Sequence, residues 1–90
     1  MTLKIEKISN RQTMMLRLIG RIRSEHLDQV KALMEDDGPS IMLNLEEVTL
    51  VDVDVVRFLI VCEAEGVELL NCSPYIREWI LREKDEEGKE

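Results

Sequence analysis

The stretch IMLNLEEVTLVDVDVV, residues 41–56, contains the strand-to-helix transition that decides the fold. Residues 41–45 are apolar except for Asn44, a pattern typical of a central strand covered on both faces. Glu46 and Glu47 predict a turn, after which residues 48–51 return to an apolar, strand-like sequence.

An apolar run from residue 55 to residue 64 follows, and Gly66 bounds it. The run is too long and too uniformly apolar for a surface strand, so it predicts a largely buried helix over residues 54–65. Asp52 and Asp54 therefore lie where a strand ends and a helix begins. At such a junction the free backbone N–H groups and the helix dipole both favour a carboxylate.

Upstream, residues 3–8 and 13–20 predict two strands joined as a hairpin by the polar turn at residues 10–12. The second strand alternates, which is the period-2 signature of a partly covered sheet. Met14, Leu16 and Leu18 share one face; Met15, Arg17 and Ile19 share the other.

Ser24 is a candidate N-cap for a first helix of about three turns. Its apolar residues recur at helical spacing: Leu27, Val30, Leu33 and Met34. His26, the single histidine, is expected on the solvated surface, and the Gly-Pro pair within residues 36–39 ends the helix.

Downstream, residues 67–71 predict a short strand, and Ser73 followed by Pro74 predicts the start of a third helix. Ile76, Trp79 and Ile80 form its apolar stripe. The element order is ββαβαβα, an α/β fold with a four-stranded mixed sheet packed with three helices. We expect a single domain over residues 1–84 and a charged tail over residues 85–90.

The composition excludes several classes of protein. The formal charge is -7, with seven Lys and Arg against three acids in residues 1–31 and a strongly acidic remainder, so a nucleic-acid binder is not expected. Cys62 and Cys72 form no metal or disulfide pattern, and no phosphate loop or hydrolase motif occurs. We expect a cytoplasmic protein with reduced thiols, no membrane insertion, no cofactor, no metal and no catalytic residues.

Four ordered stretches together resemble the STAS family, whose members include bacterial anti-sigma factor antagonists. They are residues 16–22 (LRLIGRI), 41–45 (IMLNL) and 48–52 (VTLVD), and the apolar helix that follows. The resemblance spans residues 3–83 with the spacing intact. It implies the STAS fold, a protein partner, and a contact surface on the second helix and the loop before it. It leaves a homodimer open.

The chain departs from the family at its phosphorylation motif, in which an Asp is followed by a hydroxyl residue, the phosphoacceptor Ser or Thr, and Gly. Here Asp52 keeps the Asp, but Val53 replaces the first hydroxyl, Asp54 occupies the phosphoacceptor position and Val55 replaces the Gly. Serine phosphorylation at this position is therefore excluded.

Three interpretations of the two carboxylates follow. Either could cap the second helix, with no function attached. Asp54 could instead be a fixed, partial mimic of phosphoserine, which carries more charge and one more acceptor oxygen. A catalytic pair is disfavoured because positions i and i+2 of a helix point to different sides.

We interpret the chain as a non-enzymatic interaction module that resembles an anti-sigma factor antagonist in transcriptional signalling. Its partner would be an anti-sigma factor or serine-kinase-like regulator. The alternatives are an accessory subunit of an ABC-type transporter, bound to its ATPase, and a small-ligand or nucleotide-binding STAS domain.

Arg57 is expected on the exposed side of its helix, paired with Glu63 or a partner. The candidate partner-binding residues are Asp52, Val53, Asp54, Val56, Arg57 and Ile60.

Overall fold

The computed structural model describes residues 3–35 and 40–87. The strands are β1 (Leu3–Ser9), β2 (Thr13–Ile22), β3 (Ser40–Val51) and β4 (Glu68–Leu70). The helices are α1 (Leu27–Met34), α2 (Val53–Ala64) and α3 (Pro74–Glu87), and a 3-10 turn over Ser24–His26 precedes α1. The predicted element order and α/β class are confirmed.

The four strands form one mixed sheet in the order β1-β2-β3-β4. β1 pairs with β2 in antiparallel fashion, as the predicted hairpin requires, while β2, β3 and β4 are parallel. The strand order advances in one direction only. Right-handed crossovers therefore bring α1 and α2 to the same face of the sheet.

The core lies between this covered face and the three helices. The sheet contributes a row of fully buried side chains whose spacing matches the predicted alternation: Met14, Leu16, Leu18, Leu43 and Leu45. The helices close the same cluster with Val30, Val55, Val56, Leu59, Cys62, Ile76 and Ile80. Because the residues of β2 and β3 pair in register, the alternate side chains of both strands meet one layer of helices.

The expectation that residues 41–45 are covered on both faces is wrong. Met42 and Asn44 lie on the opposite, open face with Met15, Arg17 and Ile19, and none of these joins the core cluster. Within residues 3–35 and 40–87, the helices pack on the covered face alone. β3 thus carries apolar side chains on both of its faces, although helices cover only one face of the sheet.

An ionic network crosses the open face. Arg17 on β2 donates to Glu47 on β3 and lies 3.5 Å from Glu6 on β1. The hydrogen bond from Arg17 to Glu47 raises the pKa of the guanidinium. These charges keep the open face polar at its centre despite the methionines beside it.

The predicted turn at Glu46 and Glu47 is also wrong, because β3 continues through both residues. The pairing of β2 with β3 shifts register between Arg17 and Ile19, and again between Gly20 and the next residue. At each shift β3 contributes one extra residue, which is the geometry of a β-bulge. The polar residues Glu46 and Glu47 are therefore accommodated within β3, and the strand continues. Gly20, at the second shift, has φ 101°, a conformation that glycine adopts without strain.

The start of α1 differs from the prediction. The Ser24 side chain caps nothing; instead, the Arg23 backbone N–H donates to His26 Nδ1 at 3.0 Å within the 3-10 turn. His26 is consequently only 18% exposed, not solvated as expected. The predicted end of this helix falls at residues 36–39, outside the described residues.

α3 begins as predicted. The Ile76 N–H approaches Ser73 Oγ at 3.4 Å, and Pro74 opens the helix. Tyr75 and Trp79 form a tilted aromatic pair with ring centroids 6.2 Å apart. The helix continues to Glu87, past the domain boundary expected at residue 84.

The two thiols are free, and Cys62 is buried on the inner side of α2. Burial raises the pKa of the Cys62 thiol from 9.0 to about 12. Above pH 9 an unfolded chain releases this proton while the folded chain keeps it. The free energy of unfolding should therefore fall as pH rises from 9 to 12.

We expect iodoacetamide at pH 8 to modify the half-buried Cys72 before Cys62, with Cys62 reacting only after addition of denaturant. Mass spectrometry of timed samples measures both rates. Equal labelling of the two thiols in native buffer would contradict the buried placement of Cys62.

Candidate functional site

Asp52 ties the start of α2 to the loop that follows β2. Its Oδ1 accepts a hydrogen bond from the Val55 N–H at 3.0 Å, and its Oδ2 accepts one from the Ser24 N–H at 2.9 Å. β2 and β3 are parallel and end at the same edge of the sheet, so these two segments are neighbours. Asp52 is therefore the N-cap of α2, with both carboxylate oxygens used inside the domain.

Asp54, two residues later, is not a cap. It lies in the first turn of α2 with an exposed side chain, and it makes no hydrogen bond or ion pair with any other residue that the structure describes. The capping interpretation thus holds for Asp52 and is wrong for Asp54. What remains at position 54 is a carboxylate presented to solvent at the positive end of a helix.

The two carboxylates do not form an acid/base pair, because Asp52 is fully engaged with backbone N–H groups. In the described part of the chain, no three His, Cys, Asp or Glu side chains come together in a group that could hold a metal ion. The arrangement suits binding through shape and charge.

The other predicted partner-binding residues separate by exposure. Val53 is 36% exposed and stands beside Asp54, so a partner could contact it. Val56 is fully buried in the core and cannot reach a partner without unfolding, which corrects its place in the predicted set. Ile60 is half-buried and packs against the core cluster.

Arg57 is exposed as expected, but of its two predicted contacts, Glu63 or a protein partner, the contact with Glu63 is wrong. Its Nε donates to Glu83 of α3 at 3.3 Å, while Glu63 accepts from Arg77 of α3, also at 3.3 Å. These two ion pairs join α2 to α3. The predicted Arg57–Glu63 contact is not formed, because α3 offers the carboxylate of Glu83 to Arg57 and the guanidinium of Arg77 to Glu63.

We expect Arg57→Gln to lower the free energy of unfolding by less than about 1 kcal/mol, since its side chain is 58% exposed and the ion pair is screened. Urea unfolding measures the change. Arg82→Gln is the matched control, because Arg82 also forms an exposed ion pair, with Glu78. A loss above about 2 kcal/mol for Arg57→Gln alone would show that this ion pair is a main support of the α2–α3 contact.

A groove of about 680 Å³ opens between α1 and α2, starting at Asp54. One stripe of α2 lines it along its whole length: Asp54, Arg57, Phe58, Val61, Cys62 and Glu65. The facing wall comes from the 3-10 turn and α1: Ser24, Leu27, Lys31 and Met34. The first turn of α2 is therefore one end of a longer surface, which is the groove between α1 and α2.

The sequence interpretation missed this groove, because it treated α2 as largely buried. The signal was present: the lining residues of α2 recur at the i, i+3, i+4, i+7 spacing of one helix face. Val61, in the middle of that face, is 53% exposed. The apolar run of α2 therefore supplies side chains to two faces of the helix, one that packs in the core and one that lines the groove.

No protein-family model matches this sequence, and no curated protein sequence matches it. Among solved structures, the chain is similar to the anti-sigma factor antagonist SpoIIAA in its unphosphorylated form, with a TM-score of 0.65 and 23% sequence identity. The match covers 86% of this chain and 79% of that one. Within the described residues, the helices are too short or too polar to cross a membrane. With its ββαβαβα order and mixed four-stranded sheet, this chain has the STAS fold.

Proposed function

We propose that this protein is a non-enzymatic regulatory module that binds another protein through the first turn of α2. The observation that carries the proposal is the exposed Asp54, which pairs with no other residue in the described part of the chain, in a fold shared with an anti-sigma factor antagonist. Asp52 supports it by fixing the loop before α2, so the surface is organised before any partner arrives.

Asp54 is, in this proposal, a permanent anion of the interface. The family resemblance puts it at the phosphoacceptor position, where a hydroxyl would allow switching. Asp54 has no hydroxyl group for a kinase to modify, so binding here is not controlled by phosphorylation of serine or threonine at this position. The partner accordingly offers a positively charged group to Asp54.

The leading partner class is an anti-sigma factor or serine-kinase-like regulator in the cytoplasm. The free thiols fit a reducing compartment, and the net charge of -7 disfavours nucleic acid as the partner. Both the regulator and the alternative, a transporter ATPase, are proteins that can be captured with a tagged bait.

Affinity purification from native cells tests the proposal. Baits are the wild type, Asp54→Lys and the control Asp28→Lys, which changes an exposed first-turn acid of α1 outside the groove lining. We expect mass spectrometry to find one protein retained by the wild type and by Asp28→Lys but lost with Asp54→Lys. A soluble histidine-kinase-like ATPase supports the leading class, and a membrane transporter ATPase overturns it in favour of the alternative.

Retention of the same proteins by all three baits would remove Asp54 from the interface. Absence of any retained protein would overturn the proposed binding function. Thermal unfolding of each bait, followed by circular dichroism, confirms that the compared proteins are folded.

A further inference from the structure

The groove between α1 and α2 has the length of a short helix. α1 and α2 each link two neighbouring parallel strands, so they run in the same direction and their N-terminal ends lie at one end of the groove. From Asp54 to Glu65, the C-cap residue of α2, this wall comprises twelve residues and is about 16 Å long. About three turns of a third helix could lie along the groove, above the contact between Lys31 and Phe58 that joins the two walls.

Apart from Lys31, the walls are apolar along their middle. Phe58 of α2 and Leu27 and Met34 of α1 are half-buried, with their inner sides packed against the core. Val61 is 53% exposed on the groove face. A partner with an apolar stripe would remove these surfaces from water, which is the main favourable term in such contacts.

The charges differ between the two ends. Glu65 lies at the far end, and Lys31 of α1 lies over the ring of Phe58, with its Nζ 5.8 Å from the ring centroid. Near the N-terminal end, Arg57 is held by Glu83. Asp54 and Glu65 are the groove's two carboxylates, and neither forms an ion pair with another described residue; of the two, Asp54 lies at the positive end of α2.

We propose that this groove binds an amphipathic α-helix of the protein partner, lying antiparallel to α1 and α2, with a Lys or Arg in its last turn against Asp54. The inference rests on the proposed protein-binding function and names the partner's recognition segment. In the antiparallel direction the negative C-terminal end of the incoming helix meets the positive ends of α1 and α2. A basic residue in its last turn stabilises that helix itself and also pairs with Asp54.

A displayed library of random 16-residue peptides, selected on the wild-type protein, tests the inference. We expect enriched peptides to carry apolar residues at i, i+3 or i+4, and i+7, with Lys or Arg near the C-terminal end. Val61→Asp and Asp54→Lys should each weaken the best peptide at least tenfold. The controls are Leu81→Asp, at an apolar position of α3 with similar exposure, and Asp28→Lys; both should bind within twofold of the wild type.

Three results would overturn the inference: no enrichment, enriched peptides without the helical pattern, or equal binding by Val61→Asp. A small ligand that shifts the melting temperature of the wild type but not of Val61→Asp would also overturn it, by assigning the groove to another occupant. Failure here is separable from failure of the proposed function. If the Val61→Asp bait still captured a partner through Asp54, the proposal of a helix bound in the groove would be wrong, while the proposed protein-binding function would stand.

Discussion

Asp52→Ala is expected to lower the free energy of unfolding by about 2 kcal/mol. The substitution removes the N-cap of α2, a contribution of about 1 kcal/mol, and the charge-assisted hydrogen bond from the Ser24 N–H. Two backbone N–H groups at the same edge of the sheet lose their acceptor together. For a domain of this size, that is a large share of a total stability of about 5–15 kcal/mol.

Asp52→Asn separates the two contributions. Its amide oxygen can still accept from the Val55 N–H, but its NH₂ group would face the Ser24 N–H, donor against donor. We therefore expect it to lose about half as much stability as Asp52→Ala. Urea unfolding followed through Trp79, the single tryptophan, measures both variants.

Asp28→Ala is the matched control for this series, because Asp28 also lies in a helix's first turn but accepts no side-chain hydrogen bond among the described residues. It should stay within about 0.5 kcal/mol of the wild type. If Asp52→Ala had the same free energy of unfolding as Asp28→Ala, the cap observed at α2 would contribute little to stability.

Asp54 variants are expected to change partner affinity and leave stability nearly unchanged. Asp54→Asn and Asp54→Ser should each weaken binding to the captured partner about tenfold, and Asp54→Lys about a hundredfold. The physical reason is loss, then reversal, of the charge that meets the partner's positive group. Isothermal titration calorimetry gives the affinities, with Asp28→Asn as the control for the general change in net charge.

The opposite ordering has a definite meaning. Tighter binding by Asp54→Ser and Asp54→Asn would show that the interface needs a neutral residue and that Asp54 holds the protein in the equivalent of a phosphorylated, non-binding state. Equal affinities for all variants would place position 54 outside the contact. Either result contradicts a permanent anion at the centre of recognition.

Several parts of the fold could be predicted from local pattern. The period-2 alternation of β2 correctly placed Met14, Leu16 and Leu18 on one face, because a strand's side chains must alternate between faces; the structure shows that this face is the core. Ser73 with Pro74 correctly placed the start of α3, since its cap needs only neighbouring residues.

Three of the errors share a cause, which is that each depended on residues distant in sequence. Whether residues 41–45 are covered on one face or two depends on the side to which both crossovers turn, and this is a property of the whole sheet. The strand through Glu46 and Glu47 depends on β2, whose pairing absorbs the extra residues as bulges. Arg57 pairs with Glu83 because α3 packs beside α2.

The sequence alone determined the element order, the α/β class and the presence of a carboxylate at the start of α2, since periodicity, caps and breakers act over a few residues. The tertiary structure alone decided which carboxylate became structural. Parallel pairing brings the ends of β2 and β3 together, so Asp52 meets a second backbone N–H at Ser24 while Asp54 is left facing solvent. It also decided that α1 and α2 stand apart with an open groove between them, because the separation of two helices is set by the strands to which they are attached.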